Sequence, residues 1–212
     1  MKFNWPIKGI GKVPGIFITQ WFGQNFQTPT GLAYPPPGHS GIDIAAPMGT
    51  QIYAAVTAPI SFATNNYLVG GKNYGIYYQQ TWSENGHTYL INYGHNLDQP
   101  YGEISGNGPI VRAGDPMGHV DSTGYVVSNG GGGSHLHFGL WVDGVPTDPV
   151  PFMKILIHQL GWNDKEKGLY IPADTMDRFK QIISQLSALA DDFQFDDTEW
   201  NLGVRPWPPL HI

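Results

Sequence analysis

Five residues of the 212-residue chain have types and spacings suited to holding a metal ion and moving protons: His39 and Asp43 in GHSGID, His95 in YGHN, and His135 and His137 in SHLHF. Along an extended strand side chains alternate faces, so His135 and His137 point the same way, with their bases about 6.5–7 Å apart. Both rings can reach one small object. His39 and Asp43 stand four apart, but PPPG before them, Gly41 between them and IAAP after them argue against a helix. A loop entering a strand fits better, and it can deliver an imidazole and a carboxylate to the same ion. Two histidines and a carboxylate, with a fourth position left for water, form a known catalytic zinc arrangement. Spacing alone leaves open which of His135 and His137 is the ligand, because an HxH pair on a strand can also ligate together. His87, His119, His158 and His211 have no partner pattern and read as surface, turn or core residues.

The elements that must position these residues are strands. From about Ile16 to Pro149 the chain is rich in Tyr, Val, Ile and Phe, with segments such as Gln51–Val56, Tyr74–Trp82, Thr88–Tyr93 and Leu136–Val142 bounded by Gly, Asn or Pro. Asn85-Gly86 separates two such runs, as a hairpin turn would. An antiparallel, mainly β domain is expected. After Pro151 the pattern changes: residues 175–193 place Met176, Phe179, Ile183, Leu186 and Ala190 at helical spacing behind a candidate N-cap, Asp174. The mixed polar face of this helix, with Asp177, Arg178, Lys180 and Asp191, favours packing on protein over a membrane surface.

Composition narrows the chemistry. With no cysteine, any metal must be held by His and carboxylate. A net charge of −6 without a basic stripe argues against nucleic acid as a partner. No run of about 18 apolar residues occurs, so no membrane span is expected, and MKFNWPIKGIGKVPGIFITQ lacks a signal-peptide core.

The order GHSGIDIAAPMGTQIYAA, YGHN, VRAGDPMGHVDSTG and SHLHFGLWVDGVPTDPVPF resembles the lysostaphin-type (LytM-like) zinc endopeptidases of bacterial cell walls, over roughly residues 17 to 153. The resemblance implies an antiparallel β-sheet catalytic domain within residues 1–153, followed by a helical extension and an acidic, Trp- and Pro-containing tail over 154–212. Residue by residue it places Zn2+ on His39, Asp43 and His137, and it makes His95 and His135 the catalytic histidines. These assignments come from the family and not from spacing. Zinc makes hydroxide available at neutral pH and polarises a carbonyl. With no HExxH glutamate, His95 and His135 are left to take and return protons.

The implied substrate is a peptide bond of bacterial peptidoglycan, in a glycine cross-bridge or in a stem peptide containing D-alanine. The chain departs from the family in the long TGYVVSNGGGGS connection, whose Gly130–Gly133 reads as a loop beside the site, and in PPPG before His39, which with Tyr34 would shape a groove rim. No separate wall-binding pattern is present. Without a readable export signal, a phage or prophage lysin, or a virion-associated enzyme, is the expected setting, with prior removal of a leader an equal alternative. The rivals are a noncatalytic LytM-like binding or activator module, which normally goes with lost ligands, and a phage tail component assembling through residues 175–193.

Overall fold

The structure, a computed structural model, describes residues 2–25, 27–28, 31–32, 34–64, 74–126, 133–156 and 193–194. The chain divides into two units, Met1–Met153 and Lys154–Ile212. The first is built from β1 (Phe17–Gln20), β2 (Gln27–Thr28), β3 (Gly31–Leu32), β4 (Gly41–Ala45), β5 (Gln51–Tyr53), β6 (Ala58–Thr64), β7 (Ile76–Glu84), β8 (His87–Asn96), β9 (Ile104–Ser105), β10 (Ile110–Val111), β11 (Pro116–His119), β12 (His135–Val142) and β13 (Val145–Thr147). In the second, β14 (Ile155–Leu156) pairs in parallel with β15 (Phe193–Gln194). Of the helix expected over 175–193, residues 175–192 lie outside the described residues, and Phe193 belongs to β15. Among the described residues the only helical element is the 3-10 turn Val150–Phe152, and no helix is long and apolar enough to cross a membrane.

The main sheet has nine strands, in the order β1-β4-β12-β8-β7-β6-β10, with β13 on β12 and β9 on β6. Every pairing in it is antiparallel. The mainly β, antiparallel expectation therefore holds. The turn at Asn85-Gly86 has both residues at positive φ, 51° and 81°, as a two-residue hairpin loop requires, and Asp143-Gly144 repeats it between β12 and β13. Strand β5 stops at Tyr53, short of the Val56 expected from composition. The reason is that Ala54 N–H turns to Asp115 O and Ala55 N–H to the Tyr93 hydroxyl, which takes both out of a strand ladder.

Alternation sorts the central strands into two faces. Ile42 and Ile44 of β4, Leu136, Phe138 and Leu140 of β12, and Ile91 and Tyr93 of β8 are all fully buried on one side. Phe138 stands in register with Ile42 and Tyr93, and its ring meets Tyr93 edge to face at 5.4 Å. Burying each such side chain contributes roughly 1.5–3 kcal/mol. The opposite face of the same strands carries Gly41, Asp43 and Ala45 against Gly139, His137 and His135. The core thus fixes the site: a one-residue slip would exchange the apolar set with the polar one. Gly41 and Gly139 face each other there, and a Cβ on Gly41 would lie 2.5 Å from Phe138 O, so only glycine admits this approach.

The segment before β1 shows no strand or helix period, yet Phe3, Trp5, Ile7 and Ile10 are buried. Backbone bonds from Phe3 N to Phe152 O and from Tyr53 N to Pro6 O tie it to the domain.

Candidate metal centre

His39 lies in the turn just before β4, and Asp43 is in β4 itself, so a loop entering a strand does deliver both groups to one side of the sheet. Across the ladder His137 of β12 is the register partner of Asp43. His39 Nε2 is 3.1 Å from His137 Nδ1, His137 Nδ1 is 3.0 Å from Asp43 Oδ1, and His39 Nε2 is 3.2 Å from Asp43 Oδ1. These three atoms form a nearly equilateral triangle.

Hydrogen bonding alone does not satisfy that triangle. His39 Nδ1 is 3.3 Å from Trp21 O and donates to it, so a neutral His39 turns the lone pair of Nε2 inward. Asp43 offers only lone pairs. A proton on His137 Nδ1 can bridge to one neighbour, yet the His39–Asp43 edge still sets lone pair against lone pair. A cation among the three resolves the conflict. Zinc bonds of about 2.0–2.2 Å place neighbouring tetrahedral ligand atoms about 3.3–3.5 Å apart, only slightly wider than the triangle here. Among the described residues, this is the group of His, Asp and Glu side chains able to hold an ion, its ligand atoms all within 4.8 Å of one another. Burial works against the charge of Asp43, but the contacts with His137 and His39 outweigh it and hold the carboxyl well below its usual range. Burial likewise pushes His137 down, toward the neutral form that a metal requires.

His135 shares the face of His137 but stands apart from the triangle, its Nε2 3.8 Å from Asp43 Oδ1. Its Nδ1 donates to Gly133 O at 2.7 Å. His95 reaches the same place by an irregularity. The pairing of β8 with β7 shifts between Tyr78↔Tyr93 and Ile76↔Asn96, so Gly94 and His95 together oppose Tyr77. At this bulge His95 takes a φ of 62°, and its ring comes to 4.6 Å from that of His135 and 6.3 Å from that of His137. Its Nδ1 donates to Thr123 O at 2.6 Å. In both histidines a main-chain carbonyl therefore fixes the tautomer and leaves the Nε2 lone pair free to accept a proton. All five residues singled out in the sequence are brought together.

Burial, followed by the neighbouring His135, lowers the His95 pKa to about 4 from 6.5. The unfolded chain then binds a proton that the folded one refuses between these values, so His95 contributes stability that is complete above 6.5 and lost as pH falls to about 4. His95→Gln is expected to flatten the pH dependence of the denaturant midpoint across that window, measured in protein kept in chelator. An unchanged slope would mean that His95 is solvated.

Two tyrosines complete the surroundings. The ring of Tyr34, expected at a rim, lies 5.5 Å from His39. Tyr74, which nothing in its strand-like context distinguished, stacks on His137 at 4.8 Å, while its hydroxyl is 3.4 Å from Ser40 Oγ. Burial, with a smaller push from Asp43, raises both hydroxyls above the usual phenol range, so they stay neutral donors. The orienting carbonyls of Trp21, Thr123 and Gly133 had no sequence signal, since any residue supplies one. His87 and His119, read as surface or turn residues, pair with Asp143 and Asp98 at the surface. His158, His211 and Gly130–Gly132 lie outside the described residues.

Residues 37–149 match the family model described as Peptidase family M23. A DD-carboxypeptidase/endopeptidase Mpg of Neisseria meningitidis is 30% identical over 118 residues, which are 53% of this chain and 22% of that protein. The chain thus spans about a fifth of the length of that relative. A zinc-containing peptidase of Vibrio cholerae superposes with a TM-score of 0.50 at 20% identity, over 70% of this chain and 39% of that one, and shares its fold. Lysostaphin of Staphylococcus simulans aligns at 22% identity with a TM-score of 0.46, over 76% of this chain and 57% of its own.

Proposed function

Because the chain belongs to peptidase family M23, we propose that it is a zinc-dependent endopeptidase hydrolysing peptide bonds in the cross-bridges or stem peptides of bacterial peptidoglycan. The observation that carries this reading is the triangle of His39, Asp43 and His137 with the two Nε2 lone pairs of His95 and His135 beside it. His39 Nε2, Asp43 Oδ1 and His137 Nδ1 would hold the ion. When bound, zinc supplies Lewis acidity toward the scissile carbonyl and the attacking water.

The proton steps belong to the chain's own residues. With Nδ1 of each ring donating to a carbonyl, the Nε2 atoms of His95 and His135 accept the proton released by water as it attacks the carbonyl carbon. Returned to the nitrogen of the breaking C–N bond, that proton lets the amine leave. The Thr123 and Gly133 carbonyls keep both rings in the tautomer that does this. The rings of Tyr34 and Tyr74 border the ligand rings of His39 and His137, and burial keeps their hydroxyls neutral. The enzyme acts on the wall from outside the cytoplasm, as a phage or prophage lysin or a virion-associated enzyme does.

The deciding experiment measures new free amino groups released from purified peptidoglycan, with chelator and with zinc added back. Release that chelator abolishes and zinc restores is expected, and sequencing of the new termini then names the bond. No release from walls of differing cross-bridge chemistry, with zinc shown to be bound, would replace this reading with a binding or tail-assembly role.

A further inference from the structure

On the site face of the sheet, three buried polar atoms have no hydrogen-bond partner among the described residues: His137 Nε2, and Nδ2 and Oδ1 of Asn92. Asn92 is 0% exposed and His137 4%. The register brings them together, because Asn92 of β8 stands opposite Gly139 of β12 and Gly94 opposite His137. Residues on this diagonal are within reach of long and aromatic side chains. The imidazole also leans the right way, since a Cβ built on Gly139 would lie 3.3 Å from His137 Nε2. The Trp141 ring closes the patch from above, at 2.7 Å from the same Cβ position.

An asparagine buried here with no hydrogen-bond partner among the described residues is costly, and a leucine of similar volume would fold at less cost. The chemistry of His137 supplies a reason for it. When Nδ1 is the atom turned toward an ion, the neutral ring carries its proton on Nε2, facing this patch. We infer that Asn92 is a positioning residue: its amide oxygen accepts the His137 Nε2–H, directly or through one water, and so locks the ring with Nδ1 in the triangle. The neighbouring groups fit this role. Gly139 and Gly94 have no side chain to intervene, and Tyr74 holds the ring face by stacking. The inference rests on the metal-ligand reading of His137 proposed above.

The test uses the zinc-loaded full chain with 15N-labelled histidine. The Nε2–H of His137 is expected as a hydrogen-bonded, slowly exchanging proton. Asn92→Leu should release it to fast exchange and weaken zinc binding by about tenfold or more in competition with a chelating dye. In the same variant, stripped of metal, the thermal midpoint should stay level or rise, which a merely structural asparagine would not permit. Asn92→Asp, which keeps an acceptor, should restore slow exchange and affinity. An Nε2–H and a zinc affinity unchanged in Asn92→Leu would overturn the inference. Should Asn92→Leu fail to fold, a fast-exchanging Nε2–H in the unaltered protein overturns it alone. A His137→Ala control separates the two failures: zinc binding that survives that change sinks the ligand reading, and zinc binding lost there but indifferent to Asn92 sinks only this inference.

Discussion

Replacing His137 with alanine is expected to abolish metal binding and hydrolysis together. Its Nδ1 is a corner shared by two edges of the ligand triangle, so its loss leaves His39 and Asp43 with one imidazole and one carboxylate between them. Two ligands fall short of the three that a catalytic zinc site uses. On the proposed function the Lewis-acid contribution, worth several kcal/mol, would disappear with the ion, and turnover should fall by about 10³-fold or more. The variant also leaves the buried Asp43 carboxylate with one imidazole fewer to hold its charge, so without metal it should be less stable than the parent at neutral pH, by a margin that narrows as acid protonates the carboxyl. Metal content by mass spectrometry, read beside amine release, checks both parts. A variant that retained one zinc per chain would move the site elsewhere.

His135→Ala is expected to part the two properties, with hydrolysis reduced by about 10²–10⁴-fold, the usual weight of a positioned proton-transfer group, while most of the metal stays bound. The geometry sets this contrast with the residue two positions along the same strand. His135 Nε2 stands 3.8 Å from Asp43 Oδ1, outside the 3.0–3.2 Å edges of the triangle. Its other nitrogen is engaged by Gly133 O. Equal metal loss in His135→Ala and His137→Ala would make HxH a shared ligand pair and end the division of roles. His95→Ala should resemble His135→Ala, because its ring meets that of His135 more closely than that of His137.

How far the sequence reached depends on which physical signal each residue leaves. The two-residue period of HxH put His135 and His137 on one face, and the helix-breaking context of His39 and Asp43 pointed to a loop entering β4. Both follow from backbone rules that any strand obeys. Period could not choose between His135 and His137, because the choice turns on a cross-strand partner, Asp43, whose register is set by apolar residues elsewhere in the sheet. His95 was harder still, since its place depends on a bulge in β8 that no local pattern announces. Its spacing gave it no partner, and only the resemblance of YGHN to a family assigned it a role. Asn92 passed unnoticed because a lone asparagine in a strand carries no pattern, and its meaning arises only opposite Gly139. The burial of Phe3, Trp5, Ile7 and Ile10 was equally silent, as irregular segments have no period to read.

The separation of the triangle's corners along the chain bears on how the protein becomes active at all. His39 and Asp43 leave the ribosome 98 and 94 residues ahead of His137. Strand β4 cannot be flanked on both sides until β12 has been made, so on the proposed reading a nascent or truncated chain would have no complete claim on an ion and no hydrolytic power to turn on its surroundings. Once seated, the ion would act as a clasp between the early and late parts of the domain. Closing so long a loop removes much of the freedom of the unfolded chain, as a disulfide does elsewhere. In a protein with no cysteine, that clasp would be a cross-link its own side chains can provide, and its uptake would mark the moment at which folding and the proposed activity are secured together.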